Sequence, residues 1–157
     1  MKLFYTFARN STKMFSKACE YGIRALLYVA RKSKAGVRVG IKDIAKAVDS
    51  PEPFMAKILQ DLSRRGFVMS AKGPNGGFFM EARQMAISLA DVVEAIDGDQ
   101  LFKGCGLGLR ACNEKKPCPI HFEFKAIRAS IKTMLESTAL QDFTENLESG
   151  LFYLKRA

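Results

Sequence analysis

The chain has 157 residues, of which 48% are apolar, and its formal net charge is +9 at pH 7. This apolar share is enough to bury a core, so the composition excludes a disordered tail and fits one domain with or without appended helices. No apolar run reaches the roughly 20 residues that span a bilayer, which predicts a soluble, cytoplasmic protein with no membrane partner. The basic balance favours a nucleic-acid partner, although a merely basic soluble protein would show it too.

The first predicted elements are two helices that follow an N-terminal extension, residues 1–13, which lacks the features of a signal peptide. The first helix covers 15–32, because apolar residues recur there at three-four spacing and Ser16 can cap its N-terminus. After a β-like stretch, a second and shorter helix is predicted over 41–48.

A third helix is predicted from the punctuation around it. Ser50 is a plausible N-cap, Pro51 suits the first turn and Gly66 ends the helix. Its apolar stripe is buried, and its opposite face is polar. The outward residues are Pro53, Ala56, Lys57, Gln60 and Arg64.

A hairpin follows the third helix. Two β-rich stretches, 67–71 and 78–80, are joined by the turn sequence Gly-Pro-Asn-Gly-Gly at 73–77. Three helices and a hairpin in this order predict a mainly α fold with a small β wing, a winged helix-turn-helix. The third helix would enter the major groove of DNA. The glycine-rich turn lacks the Lys-Ser/Thr of a phosphate loop, and no nucleophile–base pair is present, so an enzyme is not predicted.

Three cysteines and the only histidine follow a short helix that Ser88 can cap, over 89–96. They are spaced Cys105-x6-Cys112-x5-Cys118-x2-His121 on a glycine-rich segment. Thiolate and imidazole ligands suit zinc, copper or an iron–sulfur cluster and not magnesium or calcium. Zinc fingers pair their ligands at shorter gaps, which favours iron–sulfur, with zinc as the alternative and a disulfide switch as a third reading.

A long helix after the histidine carries a narrow apolar seam with steps of four, three, four, three and four residues. Such a seam suits a partner helix and predicts a homodimer, although one side of the monomer's own core would look similar. A last short helix is predicted over 141–147. The seam residues are Ile120, Phe124, Ile127, Ile131, Met134 and Thr138.

Four segments resemble the winged-helix regulators of the Rrf-two family, which includes IscR, NsrR and CymR. They are the first-helix signature FSKACEYGIRAL, the third helix PEPFMAKILQDLSRRGFV, the wing SAKGPNGGF and the connecting helix ISLADVVEAIDG. The resemblance implies a homodimer on a partly palindromic DNA operator, and many members sense iron–sulfur status, nitric oxide or redox state through a cluster. Some members lack the cysteines, whereas this chain keeps all three, with one extra residue in the first gap.

The resemblance leaves two candidates for the fourth cluster ligand. In IscR-like members the histidine corresponds to His121. NsrR-like members use an acidic residue of the first helix, and Glu20 stands at that position here. Three thiolates with one imidazole favour a 2Fe–2S centre over a 4Fe–4S centre. The neighbouring Cys19 lies one position off and is interpreted as a packing thiol.

Several basic and polar residues are predicted to contact DNA. Gln60 can pair with adenine and Lys57 with guanine. Ala56 stands where IscR-like members carry an acidic residue, so a different operator is expected. Lys72 replaces the wing arginine of the family, which predicts a weaker preference for narrow minor grooves. Base reading is assigned to Pro53, Ala56, Lys57 and Gln60 on the third helix. Phosphate contacts are assigned to Lys13, Lys17, Arg38 and Lys42, and Asn75 in the wing turn completes the predicted DNA-binding residues.

The chain is therefore divided into four parts, and its function is predicted to be that of a regulator, a repressor in the first instance. The parts are the extension 1–13, the winged domain 14–82, the connecting helix and cysteine loop 83–121, and the dimerisation and C-terminal helices 122–157. A winged-helix regulator with structural zinc or no metal is the first rival, and an electron-carrying iron–sulfur protein is the second.

Overall fold

The computed structural model describes residues 14–155, so the whole predicted extension, residues 1–13 with Lys13, lies outside the described residues. The described chain is mainly helical with a small antiparallel sheet, which confirms the predicted fold class. The elements in chain order are α1 Lys17–Lys34, α2 Ile41–Val48, α3 Glu52–Arg64, β1 Met69–Ala71, β2 Gly77–Phe79, α4 Ala82–Met85, α5 Leu89–Asp97, α6 Gln100–Lys103, α7 His121–Glu136, a 3-10 helix at Leu140–Phe143 and α8 Thr144–Glu148.

Helix α1 lies at the centre of the molecule and packs against α2, α3, α5 and α8. Its N-terminus is capped as predicted, because the hydroxyl of Ser16 accepts a hydrogen bond from the backbone N–H of Cys19 at 3.1 Å. Leu26, Val29 and Ala30 on its inner face have no solvent exposure. The winged domain and the C-terminal helices therefore share one core built around α1.

The start of α3 differs from the prediction. Pro51, and not Ser50, occupies the N-cap position, and no side chain caps the helix there. The hydroxyl of Ser50 is buried and has no hydrogen-bond partner among the described residues. Proline at 51 sets an extended backbone before the helix, with φ −60° and ψ 130°, which moves the boundary one residue along. Gly66 ends the helix as predicted, with φ +82°.

The wing is shorter than predicted and is joined to the strand-like residue Val39. Phe78 donates a hydrogen bond to the Val39 carbonyl at 2.8 Å, and Val39 donates to the Phe78 carbonyl at 3.0 Å. Gly77 makes this approach feasible, because its φ is +132° and a Cβ there would lie 2.9 Å from the Val39 carbonyl oxygen. The wing is thus fixed to the α1–α2 connection.

Helix α5 is tied at its start to the end of α7. Ser88 and Asp91 form a reciprocal capping box at the α5 N-terminus. Leu89 donates a hydrogen bond to the Thr138 carbonyl at 2.9 Å, and Leu140 donates to the Ile87 carbonyl at 3.0 Å. The start of α5 is therefore hydrogen-bonded to the segment that follows α7. The short helices α4 and α6 were not predicted, because four residues are too few to show periodicity.

None of the helices within residues 14–155 has the length and apolar character needed to cross a membrane.

Candidate metal centre and nucleic-acid interface

The cysteine segment runs from α6 to the first residue of α7. Cys105, Cys112 and Cys118 are half-buried free thiols, and His121 is 3% exposed. A turn closes the segment, because the backbone N–H of His121 donates to the Cys118 carbonyl at 3.0 Å. The predicted ligands thus lie on one loop that ends at the N-terminus of the long helix.

The four side chains form two pairs. The sulfur of Cys105 is 4.0 Å from that of Cys118, and the sulfur of Cys112 is 3.3 Å from Nδ1 of His121. Within residues 14–155 no group of three or more histidine, cysteine or acidic side chains is arranged to hold one metal ion. The structure therefore brings each predicted ligand next to one other, while the two pairs remain separate.

The imidazole of His121 has a second nitrogen, Nε2, that no described residue hydrogen-bonds. Its Nε2 is buried and has no hydrogen-bond partner in the described part of the chain. A buried polar atom left without a partner costs free energy, and such atoms are often ligands or catalytic groups. Together with three thiols, this imidazole gives the soft donor set that iron–sulfur clusters and zinc take. The residues present fit such a group.

Backbone groups favour the thiolate at Cys105. Hydrogen bonds from the backbone of Leu107, and then of Leu109, lower the pKa of this thiol below its ordinary value. Thiolate is the form of cysteine that binds metals. Cys19 has the opposite environment, since burial, with Asp97 beside it, raises the pKa of Cys19 to about 12. That fully buried thiol is suited to packing in the core.

Glu20 lies in the first turn of α1, with its carboxylate 2.8 Å from the ammonium of Lys17. Lys17, a predicted DNA contact, is therefore engaged in an ion pair on the same helix. The role of Glu20 as an alternative fourth ligand stays a prediction.

Arg128 was not predicted as part of the site. This side chain is 8% exposed, donates a hydrogen bond to the Gly104 carbonyl and has Nη2 3.3 Å from the Cys112 sulfur. Its only sequence signal is position: it lies seven residues after His121, which is two turns along the same face of α7.

The outward face of α3 carries the predicted base-reading residues. Pro53, Lys57 and Gln60 are exposed and Ala56 is half-buried, whereas the opposite stripe of Met55, Ile58, Leu59 and Leu62 is buried. The helix is thus held on the core by one side and presents a polar side with a lysine and a glutamine, which are residue types that read base edges.

Arg38 is the predicted phosphate contact that lies against the wing. The guanidinium of Arg38 donates a hydrogen bond to the Asn75 carbonyl at 3.3 Å and stands 4.6 Å from the centre of the Phe79 ring. Lys42 and Lys72 are exposed. Arg38 therefore braces the wing turn from the α1–α2 connection.

Helix α5 is also hydrogen-bonded to the end of α3 and to the start of α1. Arg65, which follows α3, donates to the Ala95 carbonyl, and the backbone N–H of Ser16 donates to the carboxylate of Asp97 at 2.8 Å. Because the start of α5 is hydrogen-bonded to the end of α7, α5 connects α7, the helix that follows the cysteine loop, with the end of α3.

Comparisons of sequence identify relatives along most of the chain. The profile of the Rrf2 family, described as an iron-dependent transcriptional regulator, matches residues 15–146. An HTH-type transcriptional regulator of Aquifex aeolicus is 32% identical over 145 residues, which cover 91% of this chain and 99% of that protein. Another from Mycobacterium tuberculosis is 34% identical over 131 residues, covering 83% and 80%.

Solved structures share the fold. The CymR protein of B. subtilis, described as the global cysteine regulator of that organism, superposes with a TM-score of 0.68 at 22% identity, covering 83% of this chain and 95% of that one. IscR of T. potens gives a TM-score of 0.66 at 21% identity, covering 90% and 92%.

Proposed function

This chain belongs to the Rrf2 family of DNA-binding transcriptional regulators, which are not enzymes. We propose that it is a homodimeric repressor that senses iron–sulfur, nitric oxide or redox status. The sensing group would be an iron–sulfur cluster held by Cys105, Cys112, Cys118 and His121. The observation that carries this proposal is the pairing of three thiols and a buried imidazole at the start of α7.

The two pairs support a 2Fe–2S cluster over a 4Fe–4S cluster, because each iron of a two-iron centre takes two protein ligands. Zinc would need all four side chains around one ion, which the separate pairs do not favour. When bound, such a cluster supplies reversible one-electron chemistry and a labile ligand set. Cys112 and His121 would be the mixed thiolate–imidazole pair.

We expect the protein purified without oxygen to be coloured and to contain about two irons per chain, the number a 2Fe–2S centre holds. The measurement is a visible spectrum with iron and acid-labile sulfide determinations. About four irons would move the proposal to a 4Fe–4S centre with Glu20 as the candidate fourth ligand. Colourless protein that holds zinc, or no metal, would remove the cluster and leave the DNA-binding regulator.

The fourth ligand is proposed to be His121. Its support is the buried, unsatisfied Nε2 and the short distance between Nδ1 and the Cys112 sulfur. Glu20 lies on α1 and is the alternative, which in a dimer would act across subunits. A His121→Ala protein that kept its full iron content would favour Glu20.

Operator recognition is proposed to rest on the outward face of α3 and on the wing. Lys57 and Gln60 would read bases in the major groove, while Arg38, Lys42 and Lys72 would contact phosphates or the minor groove. Neutralising phosphates makes binding weaken steeply with salt.

We expect Lys57→Gln to weaken operator binding by about 1–3 kcal/mol, roughly 5- to 150-fold in Kd, if this lysine reads a guanine. The operator would be obtained by in vitro selection and binding measured by fluorescence anisotropy at fixed salt. Lys132→Gln on α7 is the matched control, since it removes the same charge from an exposed lysine away from α3.

Binding of the same variants to a DNA of unrelated sequence is also measured, because it separates two possible roles of Lys57. A base-reading lysine affects the selected operator and leaves non-specific binding nearly unchanged. Equal loss on both DNAs would instead assign it to a phosphate. Unchanged affinity for both would contradict any contact.

Helix α5 is proposed to transmit the state of the cysteine loop to α3. Side chains that bind one cluster would fix the loop and the start of α7. The end of α7 is hydrogen-bonded to the start of α5 through the carbonyls of Thr138 and Ile87. When Cys112 and His121 no longer share that ligand, α7 and α5 can shift, and Arg65 carries the shift to the end of α3. The spacing of two recognition helices, about one DNA turn apart, would then change.

A further inference from the structure

Arg128 is a buried cation that has no carboxylate partner within residues 14–155. It is 8% exposed, and none of the ion pairs within residues 14–155 includes it. Its Nε is also buried with no hydrogen-bond partner among the described residues. Taking a guanidinium out of water is unfavourable unless a negative charge or good hydrogen bonds compensate it. The contacts of Arg128 therefore show what compensates its charge.

Among the described residues, Arg128 contacts the cysteine loop and the face of α7 next to it. One guanidinium nitrogen donates to the Gly104 carbonyl, and another lies 3.3 Å from the Cys112 sulfur. The centre of the Phe124 ring is 5.6 Å from the guanidinium carbon. Cys112 is thus the one group in this set that can carry a negative charge, as a thiolate or as a ligand of an anionic cluster.

Phe124 closes the same assembly from the other side. A Cβ on Gly106 would lie 2.8 Å from the Phe124 ring, so the loop backbone rests directly on this ring. His121, Phe124 and Arg128 follow one another at three and four residues on α7, which places them on one face. The loop between Gly104 and Cys112 is therefore held against two turns of the helix.

We propose that Arg128 is a positioning residue for the sensing centre: it anchors the Gly104–Cys112 loop on α7 and is the built-in counter-cation of the Cys112 sulfur. The charge part of this proposal rests on the cluster proposed above, and the anchoring part does not. A fixed positive charge beside the ligands stabilises the more negative, reduced state of the centre. Arg128 therefore raises the reduction potential and keeps the loop in place when the centre is empty.

The test compares Arg128→Gln, Arg128→Lys and Arg110→Gln. Arg110 is the matched control, because it is an exposed arginine on the same loop, two residues from Cys112. Hydrogen exchange of residues 104–112 is measured in cluster-free protein, with α3 and the wing as internal references. The reduction potential is measured in reconstituted protein by spectroelectrochemical titration.

We expect Arg128→Gln to make residues 104–112 exchange faster and to shift the reduction potential to a more negative value. Arg128→Lys retains the charge, so it should keep most of the potential while losing protection at Gly104, since lysine lacks the fork that spans both contacts. Arg110→Gln should change neither. If Arg128 had only a structural role, its replacement would make the loop exchange faster, but the reduction potentials of the variants would not depend on whether the charge is retained.

Two results would overturn the proposal. Equal exchange in Arg128→Gln and Arg110→Gln would remove the anchoring role, and equal potentials would remove the counter-cation role. If no variant and no wild-type protein takes up a cluster, the proposed sensing group fails. The exchange measurement on the same samples then decides the role of Arg128 by itself.

Discussion

Cys112→Ala is expected to abolish the visible absorption of the protein and to hold operator affinity at the value of the unloaded form. Cys112 is the thiol that contacts both His121 and Arg128, so its removal breaks the mixed pair and takes the counter-charge from a buried arginine. If loading and DNA binding are coupled by the usual 1–3 kcal/mol, wild-type protein should show about a 5- to 150-fold difference in operator Kd between its two forms. The variant should show none.

The matched control is Cys19→Ala. Cys19 is fully buried in α1, and its thiol, with a pKa of about 12, stays protonated at neutral pH. Replacing it removes a cysteine without touching the loop, at a stability cost typical of a small buried truncation. Circular dichroism checks that both variants are folded. The control should keep both the visible spectrum and the dependence of DNA binding on loading.

A Cys112→Ala protein that binds the operator with wild-type affinity, both with and without metal, would contradict the coupling through α7 and α5. Loss of colour in the Cys19→Ala control would show instead that the spectrum follows overall stability. The two variants together therefore separate a ligand from a core residue.

The sequence predicted the elements whose signals are local. The apolar spacing of α1 to α3, the Ser16 and Ser88 caps and the turn at 73–77 all appear in the structure close to where they were expected. These signals depend on neighbouring residues alone, so the chain's own periodicity determines them. The cap of α3 was misplaced, because the fixed backbone of Pro51 overrides the hydrogen-bonding capacity of Ser50.

The long seam on α7 was predicted as one surface and is divided in the structure. Phe124, Ile131 and Thr138 are partly buried within the single chain, while Ile120, Ile127 and Met134 are exposed. The seam consists of two rows of side chains, and spacing in the sequence cannot show which row is covered by other parts of the same chain. The packing of α5 and α6 against α7 decides it.

The candidate site shows the same limit. Spacing identified the four ligand candidates, because soft donors on a short loop have few other uses. Their division into two pairs depends on where the loop folds back on α7, which no residue pattern encodes. The sequence did not predict a role for Arg128, because an arginine on a long helix normally faces solvent. It is buried here because the loop covers it.

The exposed row on α7 leads to the second large effect: Ile127→Asp should convert a dimer into monomers and abolish tight operator binding. Ile120, Ile127 and Met134 are spaced one heptad apart and are 39%, 56% and 50% exposed. Three large apolar side chains in a row on one helix are typical of a helix-to-helix interface, and a second copy of the same row meets it in a symmetric dimer.

A carboxylate at the centre of such a row would be buried without a partner in both subunits at once. Changes at the centre of an interface commonly cost about 2–4 kcal/mol, which corresponds to roughly 30- to 1,000-fold in Kd. Sedimentation velocity over a range of concentrations measures the association. Operator binding follows it, because a monomer can occupy only one of two half-sites.

Ala129→Asp is the matched control on the same helix. Ala129 is exposed and lies two residues along, on a different side of α7 from Ile127, so it adds an equal charge without entering the row. The control should stay dimeric and bind the operator as the wild type does. If both variants dissociate, the charge acts through the stability of α7. If neither does, the row does not form the interface, and the two half-sites must be brought together by another surface of the chain.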